Sequence, residues 1–485
     1  MEISSFEAEN PRANKAFLRL ETAKRRKIKK FIGMKTLFPK FLTAVWMVLL
    51  AFSCKEKTDY QSAITDGSYQ IAAQLKLTDV IIHDIFSPPV ASRIYAYPSI
   101  AAYEVTALAD PQYQSLMGQL KGFEKASFDT SGEIYYPLAS LAAYYKVGTA
   151  LIFSENLMKE HKEKAFAEIK EKGVPEDVFE RSVKLGEEVG AHVIAYAKKD
   201  NYHESRSFEK YTVKNDPNTW QPTPPAYMEG IEPHWNKIRP FTMDSASQFK
   251  VAPPTPFSTE PGSQFYKEAE EVFTTVKNLT KEQSDIAYFW DCNPYKVNVK
   301  GHVMFATKKI TPGGHWMGIA AIASKTANAD WKKTSEALAK TSIAIFDAFI
   351  ACWDEKYRSI LIRPETYINK YMDEDWLPLL QTPPFPEYTS GHSVASNAAA
   401  ETLTSVFGEP FHFVDSTEVA YGLPIREFDS FRQAADEAAI SRLYGGIHYM
   451  PAIVNGSEKG KNVGNNLIAN IKTSKAELQP VTSKN

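Results

Sequence analysis

The feature that most restricts the fold of this chain is the recurrence of apolar residues at spacings of three and four along most of its length. This spacing places apolar side chains on one face of an α-helix, and the alternating pattern of half-buried strands is scarce. We therefore predict an all-α fold in which one large helical bundle covers residues 66–475. The segments that carry the helical pattern are 67–85, 94–109, 136–153, 156–172, 176–199, 263–289, 315–352, 392–407 and 428–445.

Residues 200–262 interrupt this pattern with a stretch that is rich in proline and aromatic residues. Its large rings, Trp220, Tyr227, Trp235 and Phe241, can anchor a chain that has no regular structure. We therefore predict an ordered irregular loop here rather than a flexible linker. The polar residues 476–485 are predicted to form a disordered tail.

The overall charge excludes a general attraction to polyanions. The chain has 485 residues and a formal net charge of −2, so we expect no nucleic-acid partner, and any anion site must be a local cluster of cations. Three cysteines are too few for a disulfide scaffold, and no Cys-x-x-Cys or histidine-rich zinc spacing occurs. Cys292 and Cys352 lie in apolar segments, which favours buried thiols, with a disulfide between them as the alternative.

The amino terminus has the pattern of a targeting segment. A basic block at residues 24–30 precedes an apolar run over residues 41–53, which is too short to span a bilayer comfortably. The run ends in Ala51-Phe52-Ser53-Cys54, which resembles a bacterial lipobox with Cys54 as the lipidated residue. We predict a leader over 1–53, a tether over 54–65, and an exported lipoprotein in the periplasm, at the outer membrane or outside the cell. A secreted protein and an uncleaved anchor are the alternatives, and Met34 is an alternative start to Met1.

A first cluster of candidate site residues contains Lys356 and Arg363, which is followed by Pro364. On an unbroken helix the two cations would lie about 10 Å apart along the axis. Because proline disfavours helix at the preceding residue, we expect the helix to end between them and Arg363 to fold back toward Lys356. The alternative is a solvated helix end, where cations are common.

The second cluster is Ser390-Gly391-His392, which follows a proline-rich run and precedes an alanine-rich helical segment. These residues therefore lie at a helix amino terminus, where free N–H groups and the helix dipole favour an anion. Gly391 permits close approach of a ligand to the backbone. Ser390 could equally be an ordinary N-cap.

The third cluster is Ser441-Arg442 followed by His448, with Gly445-Gly446 between them. On a helix Arg442 and His448 would face different directions. Glycine at a helix carboxyl terminus lets the chain turn back, so both side chains can converge. Together the three clusters supply three cations, a helix amino terminus and two histidines, which suits an oxyanion with several negative charges. Lysine and arginine are not metal ligands, so a zinc site is disfavoured.

Order and spacing of these motifs resemble the signature of the type-2 phosphatidic acid phosphatase and vanadium haloperoxidase superfamily, over most of the chain after about residue 65. Trp353, the prolines before Phe385, Phe289-Trp290-Asp291 and Gly313-Gly314-His315-Trp316 resemble its bacterial haloperoxidase branch. Two positions depart from the superfamily pattern. Thr389 replaces the usual proline before Ser-Gly-His, and Ala452 replaces the aspartate of the phosphatases, which weakens the phosphatase interpretation.

The resemblance implies a helical bundle of the vanadium haloperoxidase and acid phosphatase type, with vanadate as cofactor. It implies that His448 binds vanadium, that His392 is the general acid–base, and that hydrogen peroxide oxidises a halide to hypohalous acid. Iodide or bromide is expected rather than chloride, and the organic acceptor stays open. The residues implied to hold the oxygens of vanadate are Lys356, Arg363, Ser390, Gly391 and Arg442.

Residues next to the site are also implied. Phe385 and Trp353 would line a halide pocket, and Asp291 would pair with Arg442 unless it is an ordinary surface aspartate. For His302 and His315 we expect structural or supporting roles. Two other functions stay open: an exported acid phosphatase with a phosphohistidine at His448, and a non-catalytic binding lipoprotein.

Overall fold

Helices form most of the chain in a computed structural model, which describes residues 60–300, 303–306 and 308–474. The prediction of an all-α fold is confirmed. The helices are α1 (Ser68–His83), α2 (Pro88–Ala109), α3 (Tyr136–Ala150), α4 (Glu155–Glu171), α5 (Glu176–Ala197), α6 (Tyr202–Ser205), α7 (Gln264–Lys277), α8 (Lys281–Phe289), α9 (Pro312–Thr326), α10 (Trp331–Ser359), α11 (Pro364–Tyr371), α12 (Gly391–Phe407), α13 (Phe431–Tyr444) and α14 (Met450–Asn470).

The strands of the described residues form two short antiparallel hairpins. In the first, β1 (Val297–Lys300) pairs with β2 (Val303–Ala306), with Val297 opposite Ala306. In the second, β3 (Phe413–Asp415) pairs with β4 (Arg426–Phe428), with Phe413 opposite Phe428. Two-stranded hairpins have little stability of their own, so their positions depend on the helices around them.

Helices α2 and α10 form the centre of the apolar core. Ser87 caps α2, accepting a hydrogen bond from the Val90 N–H, and prolines occupy its first turn, where their missing N–H groups cost nothing. Every α2 residue from Pro88 to Thr106 is buried, as is most of the 29-residue α10. Because α10 is buried nearly to its end, the residues that follow it start from the interior of the molecule.

Helix α14 packs closely against α12, and the sequence patterns did not predict it. Gly456, Gly460 and Gly464 lie at four-residue intervals and face α12. A Cβ atom at Gly460 would lie 2.3 Å from the carbonyl oxygen of Val394, so glycine is needed for the two backbones to approach this closely. Because glycine has a low intrinsic helix propensity, the sequence of this segment does not predict a helix.

Two predicted helices are each divided in the structure. The segment 263–289 separates into α7 and α8, because Thr280 and Gln283 form a reciprocal capping box that starts a new helix. The segment 315–352 separates into α9 and α10, with Asn328 at a φ of 47° and Asp330 capping α10. The turn chemistry of single residues therefore overrides a continuous apolar pattern.

The predicted ordered loop over residues 200–262 is confirmed, since Trp220, Trp235 and Phe241 are fully buried, although Tyr227 is exposed. The folded part begins before the predicted boundary at residue 66. Ile64 is buried in the core, so the predicted tether of residues 54–65 is too long at its carboxyl end. The predicted leader 1–53, Cys54, His302 and the predicted tail 476–485 lie outside the described residues. No described helix is long and apolar enough to cross a lipid bilayer.

Candidate active site

Lys356 and Arg363 are placed by the end of α10, as the sequence predicts. The helix ends at Ser359, Ile360 adopts a left-handed conformation with a φ of 42°, and Arg363 is the residue before α11. Both side chains are fully buried. The alternative of a solvated helix end is therefore wrong for this pair.

The two cations hold the backbone of the proline-rich segment that precedes α12. Lys356 Nζ donates to the carbonyl oxygens of Pro386 at 2.8 Å and Glu387 at 2.9 Å. Arg363 Nε donates to the Phe385 carbonyl at 3.0 Å, and its Nη1 donates to the Ile447 carbonyl at 2.8 Å. Lys356 and Arg363 therefore both hold the backbone of the segment that leads to Ser390.

Ser390, Gly391 and His392 lie at the amino terminus of α12. The Ser390 hydroxyl accepts a hydrogen bond from the Ser393 N–H at 3.2 Å, so Ser390 is the N-cap that the sequence allowed. A Cβ atom at Gly391 would meet only the Trp353 ring, at 3.7 Å, which leaves the backbone open to a ligand. His392 lines the adjacent cavity, and its buried Nε2 has no hydrogen-bond partner.

Arg442 lies in the last turn of α13 and lines this cavity, and the two glycines turn the chain back so that His448 lines it as well. Gly446 has a φ of +74°, which glycine adopts without strain. Arg442 donates through Nη2 to the Trp290 carbonyl at 2.6 Å and through Nε to the Ser441 hydroxyl at 2.9 Å. Arg442 and His448 therefore line one cavity, as the turn at the two glycines allows.

The predicted pair between Asp291 and Arg442 is wrong. The Asp291 carboxylate forms ion pairs with Lys309 at 2.7 Å and Lys296 at 3.4 Å. Arg442 instead binds the carbonyl of the preceding residue, Trp290. Asp291 is also not a surface residue, since it is only 3% exposed. Burial lowers the pKa of Arg442, and the negative charge of Asp291 partly opposes that effect without a direct contact.

Glu387 belongs to the site and was missed in the sequence. Its Oε1 accepts hydrogen bonds from His448 Nδ1 at 2.8 Å and from the Tyr449 N–H at 3.0 Å. The proton of His448 therefore lies on Nδ1, and Nε2 carries a lone pair 3.1 Å from Arg363 Nη1. Burial and the charges of Arg363, Lys356 and Arg442 lower the pKa of His448 well below its ordinary value, so the ring is neutral.

The cations of the site carry an unusual electrostatic cost. Burial lowers the pKa of Lys356 to about 7 and the pKa values of Arg363 and Arg442 to about 10. In the described part of the chain, none of the three forms an ion pair with a carboxylate, and Arg363 Nη2 is buried without a partner. Buried charges without counter-charges are costly, and a bound anion would relieve that cost.

The other side of the cavity is apolar and aromatic. Trp353 and Phe385 line it with ring centroids 5.0 Å apart, and Tyr295, which the sequence patterns did not single out, lines it as well. The Phe385 ring also contacts the cations, with Lys356 Nζ 5.0 Å and the Arg363 guanidinium carbon 5.1 Å from its centroid. Of the three cations, Arg442 lines the cavity itself, whereas Lys356 and Arg363 reach it only through their contact with the Phe385 ring.

Comparison with known proteins identifies the relatives of this arrangement. Residues 369–475 match the family model described as the second helical-bundle domain of VCPO. A solved structure described as the first bacterial vanadium-dependent iodoperoxidase is 51% identical, with a TM-score of 0.80, and the match covers 85% of this chain and 98% of that chain. The chain belongs to the vanadium-dependent haloperoxidase family. No protein with a curated description matches it significantly.

More distant members of the haloperoxidase family share the fold. Two solved structures of a bacterial vanadium-dependent chloroperoxidase, in holo and apo forms, are each 16% identical to this chain, with TM-scores of 0.59. Each match covers 79% of this chain and 92% or 93% of the other. At this identity the likeness concerns the helical architecture.

The residues that line the cavity and those directly behind them fit vanadate. Arg363 Nη2 and His392 Nε2 are buried polar atoms without partners, as expected where an oxyanion supplies the missing hydrogen bonds. The cations and the α12 amino terminus provide donors for charged oxygens. The neutral His448 provides one nitrogen lone pair for the metal atom.

Proposed function

We propose that this protein is a vanadate-dependent haloperoxidase that oxidises iodide with hydrogen peroxide. The observation that carries the proposal is a group of three buried cations near a neutral His448. Arg442 lines the same cavity as His448, Arg363 Nη1 lies 3.1 Å from His448 Nε2, and Lys356 and Arg363 contact the Phe385 ring that lines the cavity. Such a site disfavours a bare metal cation and favours a multiply charged oxyanion. The 51%-identical relative, described as an iodoperoxidase, supports iodide as the halide.

Each residue of the site has a distinct part in this function. Lys356, Arg363, Arg442, Ser390 and the Gly391 N–H would hold the oxygens of vanadate, and Nε2 of His448 would bind the vanadium atom. Bound vanadate supplies a Lewis acid that makes hydrogen peroxide more electrophilic. Glu387 keeps the proton of His448 on Nδ1, so that Nε2 stays available.

His392 is the residue that we expect to move a proton. Burial, Arg442 and His315 lower its pKa well below the ordinary value, so the ring is neutral and its Nε2 has no hydrogen-bond partner. A neutral histidine beside the oxyanion site can accept a proton from hydrogen peroxide and return it to a departing hydroxide.

The aromatic wall formed by Trp353 and Phe385 provides the halide side of the cavity. A large, weakly hydrated anion such as iodide loses less on leaving water than a smaller halide does. Lys356 and Arg363 contact the Phe385 ring, which places positive charge behind the aromatic surface. The wall therefore favours iodide over chloride.

An activity assay tests the proposal. Protein freed of oxyanions should oxidise iodide with hydrogen peroxide only after vanadate is added, and phosphate should compete with vanadate because both present similar charged oxygens. His448→Ala should abolish oxidation, and His392→Ala should slow it by about 10²–10⁴-fold. His412→Ala, at an exposed histidine, is the matched control. Rapid hydrolysis of phosphate esters, inhibited by vanadate and without halide oxidation, would instead show an acid phosphatase.

We also propose that the protein is exported and anchored by a lipid on Cys54. The basic block at 24–30, the apolar run at 41–53 and the lipobox-like residues before Cys54 support this. Cys54→Ala should leave the protein exported but release it from membranes. The control variant Cys352→Ala should be exported and stay bound to membranes. Membrane association that survives Cys54→Ala would contradict the lipid anchor.

A further inference from the structure

A second cluster of ligand-type side chains lies beside the oxyanion cavity. Cys292, His315 and Glu418 are each at most 2% exposed. The distances between their ligand atoms are 3.4 Å from His315 Nδ1 to Cys292 Sγ, 3.4 Å from His315 Nδ1 to Glu418 Oε1, and 3.9 Å from Cys292 Sγ to Glu418 Oε1. Three different elements supply them: the turn after α8, the first turn of α9, and the connection between β3 and β4.

These distances match one face of a zinc tetrahedron. Zinc binds sulfur at about 2.3 Å and nitrogen or oxygen at about 2.0–2.2 Å, which separates tetrahedral ligand atoms by about 3.3–3.8 Å. A cation in front of the triangle formed by Sγ, Nδ1 and Oε1 therefore reaches all three atoms after shifts of a few tenths of an ångström. The set of one thiol, one imidazole and one carboxylate also suits zinc.

The orientation of His315 is fixed in the way that metal-binding histidines are fixed. Its Nε2 lies 2.8 Å from Asp415 Oδ2, while Asp415 Oδ1 accepts hydrogen bonds from the Thr417 N–H at 3.0 Å and the Thr417 hydroxyl at 2.6 Å. A carboxylate that receives the Nε2 proton leaves Nδ1 as the ligand atom, which points toward Cys292 and Glu418.

The charge of the cluster also calls for a cation. Asp415 and Glu418 are buried carboxylates, and within the described residues neither forms an ion pair with lysine or arginine. The His315 ring lies against both and forms ion pairs with them only when it is protonated, so a bound divalent cation would take the place of that proton. A divalent cation, which also binds the Cys292 sulfur as thiolate, would balance this buried negative charge.

We propose that Cys292, His315 and Glu418 form a Zn²⁺ site, with Asp415 orienting the histidine. Cys292 also lines the oxyanion cavity, which provides a route of entry for the ion. Nothing in this proposal depends on peroxidase activity, so the two can fail separately.

The site would stabilise the part of the chain that holds Arg442. The Trp290 ring stacks on His315, with centroids 4.4 Å apart and ring planes at 17°, and the Trp290 carbonyl accepts the 2.6 Å hydrogen bond from Arg442. A metal ion would join three elements: the turn after α8, helix α9, and the connection between β3 and β4. It would therefore fix the Trp290 carbonyl that orients Arg442.

Cobalt substitution tests the proposal through absorption rather than activity. Full-length protein treated with a chelator and titrated with Co²⁺ should bind one equivalent and develop a thiolate-to-cobalt charge-transfer band. Cys292→Ala should lose the band. Cys352→Ala is the matched control, because Cys352 is also a buried free thiol, and it should keep the band.

Thermal unfolding gives an independent measurement. Saturating Zn²⁺ should raise the Tm of the chelated wild type and of Cys352→Ala by about 3 °C or more, but should not raise the Tm of Cys292→Ala. If Cys292→Ala fails to fold, Glu418→Gln, which keeps the shape of the side chain, should weaken Co²⁺ binding at least about tenfold. Absence of both the charge-transfer band and the Tm shift in wild type, or equal binding in Cys292→Ala, would overturn the proposal.

Discussion

The carboxylate of Glu387 fixes the imidazole of His448 through the 2.8 Å contact with Nδ1. Burial raises the pKa of Glu387 to about 7. Replacing it by an amide keeps a hydrogen-bond acceptor but removes the negative charge that makes the ring a better ligand above that pH. We expect Glu387→Gln to weaken vanadate binding by about 10–100-fold, the usual effect of losing a partner of a metal-binding histidine. Equilibrium dialysis with vanadate measures this.

The matched control for this variant is Glu104→Gln, because Glu104 is equally buried in α2 and accepts a hydrogen bond from the Leu116 N–H at 2.7 Å. It should leave vanadate affinity unchanged even if it lowers the Tm. Equal affinity in Glu387→Gln and wild type would show that the Glu387 carboxylate does not influence His448 as a ligand.

The lowered pKa of Lys356 leads us to expect that anion binding depends on pH. Burial lowers its pKa to about 7, so below about pH 7 the anion-free protein already carries the ammonium and bears the full cost of burying it. Above about pH 7 the amine is neutral in the folded protein, and anion binding must then take up a proton, so the Kd for vanadate rises with pH.

Lys356→Arg isolates this effect, because a guanidinium keeps its proton to much higher pH. Between about pH 7 and pH 9, the Kd for vanadate should rise with pH more steeply in wild type than in Lys356→Arg. The difference should be up to about tenfold in Kd for each pH unit. The protonation of vanadate itself is common to both proteins and cancels in the comparison. Parallel Kd profiles for the two proteins would assign the pH dependence to groups other than Lys356.

Single residues of the oxyanion site could be predicted because their motifs are local in the sequence. Glu387 could not, because His448 lies 61 positions away and no pattern links the two. Cys292 and His315 are 23 positions apart, and Cys292 and Glu418 are 126 apart. That cluster therefore has no zinc-type spacing, although its ligand atoms converge in the fold.

At the scale of elements, the contact between α12 and α14 positions the start of α12. Gly456 lies against Ser390, since a Cβ atom there would be 3.1 Å from the Ser390 carbonyl oxygen. We expect Gly460→Ala to destabilise the fold by about 1–3 kcal/mol, because its Cβ would lie 2.3 Å from the Val394 carbonyl. Denaturant unfolding measures the change.

Asn462→Ala is the control for this prediction, since Asn462 is exposed on the same helix and alanine favours helix. It should leave the free energy of unfolding within about 0.5 kcal/mol of wild type. Wild-type stability in Gly460→Ala would mean that α12 and α14 can separate without cost, and the argument for the glycine spacing would be wrong.

Most helices could be predicted from periodicity, since their apolar faces repeat over several turns. The divisions at Thr280 and Asn328 depend on local capping and turn conformations that a continuous apolar pattern conceals. Helix α14 escaped prediction because the same glycines that permit its packing disfavour helix in isolation. Tertiary contact with α12 overrides that preference.

At the scale of the whole molecule, the bundle brings together cations that are far apart in the sequence. The end of α10 carries Lys356, the start of α11 carries Arg363, and the end of α13 carries Arg442. The α12 amino terminus lies among them. The sequence predicted this convergence from motif chemistry, but the backbone carbonyls that hold each cation became apparent only in the structure.

The most direct test of the central claim is a crystal structure of the protein loaded with vanadate. The account predicts one vanadium atom in the cavity, bonded to Nε2 of His448, with Lys356, Arg363 and Arg442 in contact with its oxygens. Arg363 Nη1 would then donate to the oxyanion instead of to Nε2, which it contacts at 3.1 Å in the present structure. Vanadate bound elsewhere, or held in the cavity without a bond to His448, would contradict the account.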